Sequence, residues 1–66
     1  MRIKVNGQWR DSDDDATVAE LLEELSLQPR RVAVERNKQI VPRARYGRTP
    51  LADNDELEIV TLVGGG

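Results

Sequence analysis

The chain has 66 residues, 38% of them hydrophobic and 33% charged, with a net charge of −2 at pH 7. That length allows one small domain with a core of Val, Leu and Ile, and little room for a deep catalytic cleft. Cysteine and histidine are both absent, which removes disulfides, thiolate metal sites, the cysteine nucleophile, the commonest general base and the commonest metal ligand.

The first predicted element is a strand over "MRIKV", where Met1, Ile3 and Val5 alternate with Arg2 and Lys4. Asn6-Gly7 follows, the strongest short hairpin signal, because a type I′ turn needs positive φ at both central residues. "QWRD" returns as the second strand. Thr17 and Glu20 then fit a capping box. Val18, Leu21, Leu22 and Leu25 fall at i, i+3, i+4 and i+7, one apolar stripe of a short helix over about Val18 to Leu25 that Pro29 prevents from running on. Asp13, Asp14 and Asp15 lie just before its positive end and read as a solvated, dipole-complementing run; no metal site is expected.

"RVAVER" alternates again as a third strand around Val32 and Val34. Asn37-Lys38 suggests a turn, and Ile40-Val41 a short strand that Pro42 keeps brief or at an edge. "PRARYGRTPLADNDE" reads as loop, with Tyr46, like Trp9, expected to pack. "LEIVTL" is the last strand. The element order β-β-α-β-β-β implies an α+β layer with the helix on one face of a mixed sheet. The first and last strands are apolar enough to be central. If they are adjacent and parallel, the helix crosses over between the two halves. There is no internal repeat, linker or second domain.

Charge is segregated. Residues 1–28 carry three basic and seven acidic groups, residues 29–51 seven basic and one acidic, and residues 52–66 four acidic and none basic. Opposed patches of this kind orient a protein partner, and Arg43, Arg45 and Arg48 offer a basic rim to an acidic one. A nucleic-acid role for the basic segment is disfavoured by the negative net charge and by the near absence of aromatics for base stacking. No apolar run approaches the roughly 18 residues of a membrane span, and residues 1–15 are too polar for a secretory signal, so a cytoplasmic protein without membrane association is expected.

No interior group looks catalytic, because Ser and Thr are poor nucleophiles without a positioned base. The unusual chemical group is the carboxylate expected on Gly66. It stands on the stem Gly64-Gly65, beyond the last strand. At about 3.3–3.6 Å per residue, Val63 to Gly66 reach roughly 13–14 Å, and glycines keep that stem thin. Such a tail can enter a narrow channel in another protein, at the cost of the entropy lost on ordering it. If Leu57 and Ile59 face the core, Val60 and Leu62 face outward beside the tail and, with Val63, form a partner-docking patch.

In order along the chain, "MRIKVNG", "TVAELLEEL", "VAVERN", "IVPR", "LADNDELEIV" and the terminal "VGGG" resemble the ThiS family of sulfur carriers in thiamine biosynthesis. The family commonly ends in two glycines, so Gly65 and Gly66 are the matching pair and Gly64 is extra stem. The resemblance implies a ubiquitin-like β-grasp fold over residues 1–63, a mixed sheet of four to five strands with one helix, followed by a flexible tail at 64–66. It implies a carrier and co-substrate rather than an enzyme. A partner would use ATP and Mg²⁺ to adenylate the Gly66 carboxylate. Sulfur from cysteine, by way of a desulfurase or persulfide, would displace AMP and leave a thiocarboxylate. Thiazole synthase would take that sulfur. The chain itself would bind no cofactor. Two readings stay open beside it: a carrier for molybdopterin, cysteine or tRNA thiolation, or a β-grasp binding module with an inert tail.

Overall fold

The computed structural model describes residues 1–62. Strands β1 (Arg2–Val5) and β2 (Gln8–Asp11) form the N-terminal hairpin, helix α1 spans Val18–Glu24, and β3 (Val32–Arg36) and β4 (Gln39–Ile40) form a second hairpin. Strand β5 (Glu56–Thr61) closes a five-stranded sheet in the order β2-β1-β5-β3-β4. β5 runs parallel to β1 and antiparallel to β3, so the first and last strands are the neighbours that the element order anticipates. The arrangement is a ubiquitin-like β-grasp fold.

Both hairpins turn on left-handed backbone. Asn6 and Gly7 have φ of 50° and 83°, and Asn37 and Lys38 have 51° and 70°. Two-residue turns of this hand match the twist of the strands they join. The first has the residues that such turns prefer. The second puts a lysine where an L side chain is strained, and the Asn37 side chain anchors it by donating to Asp55 Oδ1 at 3.0 Å and accepting from Glu56 N–H at 2.9 Å.

The capping box is present at the start of α1. Thr17 Oγ1 accepts from Glu20 N–H at 3.2 Å, and Glu20 Oε1 accepts from Thr17 N–H at 2.9 Å. The helix ends at Glu24, five residues before Pro29. Ser26 takes φ 60°, Ser26 N–H donates to Glu23 O, and Leu27 N–H donates to Leu22 O at 2.8 Å. These are the two bonds of a Schellman motif, with serine where glycine is usual. Val18, Leu21 and Leu22 are buried and Leu25 partly so.

The core lies between α1 and one sheet face. Ile3, Val5, Val32, Val34, Leu57 and Ile59 meet Val18, Leu21 and Leu22 there, with Val41, Tyr46 and Leu51 at its margin. The segment 42–56, read as loop, contains a 3₁₀ turn over Arg43–Arg48 that buries Tyr46, whose hydroxyl donates to Val32 O at 3.3 Å. Trp9 departs from the expectation of packing. It is 49% exposed, because in register it stands opposite Lys4 on the sheet face away from the helix. Arg2 and Lys4 lie over its ring at 5.7 and 5.8 Å. β4 comprises Gln39–Ile40 rather than Ile40-Val41, since Val41 turns inward while its N–H donates to Val34 O. No helix among the described residues is long and apolar enough to cross a membrane.

Candidate functional site

The candidate site is the C-terminal end of β5 and the sheet face around it. Alternation along the strand decides which side chains serve the core. Leu57 and Ile59 are buried, while Val60 and Leu62 are 59% and 45% exposed. Cross-strand register puts Ala33 opposite Val60 and Glu35 opposite Glu58. The open face therefore carries an apolar spot, Ala33, Val60 and Leu62, next to an acidic pair.

The strand is held up to its last described residue, and by different means on its two edges. On one edge β3 pairs from Arg36 opposite Leu57 to Val32 opposite Thr61, and Leu62 N–H donates to Arg31 O at 2.7 Å. On the other edge β1 pairs only at Lys4 with Glu56 and Val5 with Leu57. Asn6 continues that edge. Its backbone N–H donates to Leu57 O at 2.9 Å, its side-chain oxygen accepts from Ile59 N–H at 2.7 Å, and its side-chain nitrogen donates to Ile59 O at 3.1 Å. One amide side chain thus replaces one residue of a missing strand. Sequence reading treats Asn6 as a turn residue alone; the only local hint is an amide at a position where glycine would also serve.

Asp55 anchors the start of β5. Its carboxylate accepts from Arg36 Nε at 2.7 Å, Asn37 Nδ2 at 3.0 Å and Ala52 N–H at 2.8 Å. Burial pushes the carboxyl up, but the bonds from Ala52, Asn37 and Arg36 outweigh it and hold the group below the ordinary 3.8. Nothing in the sequence singles this residue out from its acidic neighbours.

Two open grooves of about 400 and 410 Å³ flank the sheet, one lined by Val5, Trp9, Leu25, Leu27, Ile59 and Thr61 among others, the second by Arg36, Asn37, Arg45 and Thr49 among others. Neither has a carboxylate or a nucleophile–base pair in its lining. Of the candidate residues, the fold brings Val60 and Leu62 together on the exposed face at the base of the tail; Val63, Gly64, Gly65 and Gly66 lie outside the described residues. What the described part can do chemically is present a rigid strand end with an apolar flank.

The ThiS family model matches residues 3–66. The chain is 40% identical to the sulfur carrier protein ThiS of Bacillus subtilis, over 97% of this chain and 98% of that protein. It is 46% identical to a stretch of a thiazole synthase of Paramagnetospirillum magneticum that covers all of this chain; the chain spans 20% of that protein's length. A crystal structure of a thiamine biosynthesis protein ThiS from Geobacter metallireducens superposes with a TM-score of 0.85 at 33% identity and full coverage of both chains.

Proposed function

The chain belongs to the ThiS family, and on that premise we propose that it is a sulfur carrier of thiamine biosynthesis which acts through a Gly66 thiocarboxylate. The observation that carries this is the end-to-end match to a protein named as such a carrier. An oxygen of the Gly66 carboxylate attacks the α-phosphorus of Mg-ATP on an adenylating partner and pyrophosphate leaves. The acyl-adenylate turns a poor leaving group into AMP. The outer sulfur of a cysteine-derived persulfide displaces AMP to give an acyl disulfide. A thiol then cleaves that S–S bond to release the Gly66 thiocarboxylate and leave a disulfide behind. The thiocarboxylate passes its sulfur to thiazole synthase. The chain is then a co-substrate and carrier, with no turnover of its own. The absence of cysteine and of any lysine after Lys38 suits a reactive acyl end, since neither nucleophile lies nearby in sequence to intercept it.

The partner assignment is supported by the P. magneticum thiazole synthase, a single polypeptide that contains a stretch similar to this whole chain. A carrier-like segment within the acceptor enzyme itself fits sulfur delivery to thiazole formation. Val60, Leu62 and Val63 dock the partner, and Gly64 and Gly65 carry Gly66 into its channel. Removing exposed apolar side chains from water on docking stabilises the complex by roughly 25 cal/mol per Å² before the ordering costs are met.

The test is incubation with ATP, Mg²⁺, the adenylating enzyme, a desulfurase, cysteine and a thiol reductant, followed by intact-mass measurement. The expected result is a gain equal to the difference between sulfur and oxygen, absent in a chain that lacks Gly66, and lost again on adding thiazole synthase with its other substrates. An unchanged mass overturns the reading, and retention of the sulfur by a thiocarboxylate offered to thiazole synthase overturns the acceptor.

A further inference from the structure

Residues 29–51 hold seven of the chain's ten basic groups and a single acid. Among the described residues only one of the seven is in an ion pair, Arg36 with Asp55. Arg30, Arg31, Arg43, Arg45 and Arg48 are exposed and sit on two short 3₁₀ turns, Pro29–Arg31 and Arg43–Arg48. The fold ties these turns together, since Arg43 donates from Nε to Pro29 O at 3.2 Å and from Nη2 to Arg30 O at 3.3 Å. It also ties the first turn to the end of β5 through the Leu62 N–H to Arg31 O bond. Arg30, Arg31 and Arg43, remote in sequence from the tail, are thereby gathered as a basic collar beside Leu62 at the end of β5, whereas Arg45 lies with Arg36 and Asn37 toward the β3–β4 turn.

On the open sheet face, back along β5 from Leu62, stand Glu35 and Glu58, directly opposite each other in register. Like charges so placed destabilise a sheet slightly; Glu58 is exposed and Glu35 half-buried. Along β5 the open face thus reads acidic pair and then apolar spot, with the collar of Arg30, Arg31 and Arg43 at the strand's end beside Leu62. We propose that the collar docks a protein partner whose tail-receiving channel opens within an acidic lip, and that it sets the direction in which the tail enters. This rests on the carrier reading and names the electrostatic class of the partner surface. A protein is favoured over RNA because Glu35, Glu56 and Glu58 lie on the adjoining open sheet face and would repel phosphates, and because the collar's one aromatic neighbour, Tyr46, is buried.

The test is the association rate of the full chain with its adenylating enzyme, across ionic strength, for wild type, Arg30→Glu/Arg31→Glu, Arg30→Gln/Arg31→Gln and Lys38→Glu. The glutamate pair is expected to slow association about 10-fold or more at low salt, the glutamine pair less, and the gap to close at high salt, where steering is screened. Lys38, in the turn at the other end of β3, should change the rate by less than about twofold. Saturating enzyme should restore the wild-type yield of thiocarboxylate. Arg31 holds Leu62 through its backbone, so unchanged melting temperatures are expected. If wild type forms no thiocarboxylate, the carrier reading and the collar fail together. If wild type forms it and the glutamate pair associates as fast, the collar alone fails. Salt-dependent binding of bulk tRNA lost in the glutamate pair would also overturn it, in favour of nucleic acid.

Discussion

The two faces of the sheet are made from the same strands and do opposite work. The helix-side face of β5 presents Leu57 and Ile59, at 0% and 8% exposure; the open face presents Val60 and Leu62, at 59% and 45%. Hydrophobicity is similar on both. What differs is whether α1 or solvent lies opposite, so one pair stabilises the fold and the other is free for a partner. In so small a domain these roles sit one residue apart, and a register slip of one would exchange them.

Mutation can break this comparison directly. Leu57→Ala should be the most damaging change, costing about 2–5 kcal/mol by removing a fully buried side chain, a large share of the stability of a 66-residue chain; urea unfolding measures it. Next comes Asp55→Asn, expected to cost about 1.5–3 kcal/mol at pH 7, since it removes the charge that three donors converge on. The same residue gives a pH dependence. Its folded carboxyl titrates below the ordinary 3.8, so its stabilisation is present above that value and fades as pH falls through the lower folded one. Unfolding curves taken from pH 7 down to 3 should show wild type and Asp55→Asn converging in the acid range.

Asn6→Gly keeps the left-handed backbone accessible but deletes both bonds to Ile59. A loss of about 1–2 kcal/mol is expected, with hydrogen exchange at the end of β5 accelerated more than in the hairpin β1–β2. Smallest in stability are Val60→Asp and Leu62→Asp, expected within about 0.5 kcal/mol of wild type. Their effect belongs to function, as a fall of at least about 10-fold in the efficiency of thiocarboxylate formation by the adenylating enzyme, if the apolar spot is a centre of binding energy. Variants on this face that lowered stability as much as Leu57→Ala would erase the distinction between the faces.

Much of the fold was legible from short-range pattern. The Asn6-Gly7 turn, the Thr17–Glu20 box, the stripe Val18, Leu21, Leu22 and Leu25, and the alternation that exposes Val60 and Leu62 each depend on residues within one or two turns or strand steps. Boundaries moved by a residue at β1, α1, β3, β4 and β5, and the 3₁₀ turn around Tyr46 was hidden in a stretch with two prolines and a glycine, where turn signals mask short helical structure.

The sequence by itself determined the local elements, their inward and outward faces and, through its end-to-end pattern, the family. Only the tertiary structure decided that Asn6 pairs with Ile59, 53 positions away, that Asp55 gathers Arg36, Asn37 and Ala52, that Trp9 lies over the open face, and that arginines 30 and 31 stand beside Leu62. The physical reason is range. Backbone preference and hydrophobic period act over a few residues, whereas side-chain partners and charge clusters follow from sheet order, which sets distant segments side by side with no local mark on either.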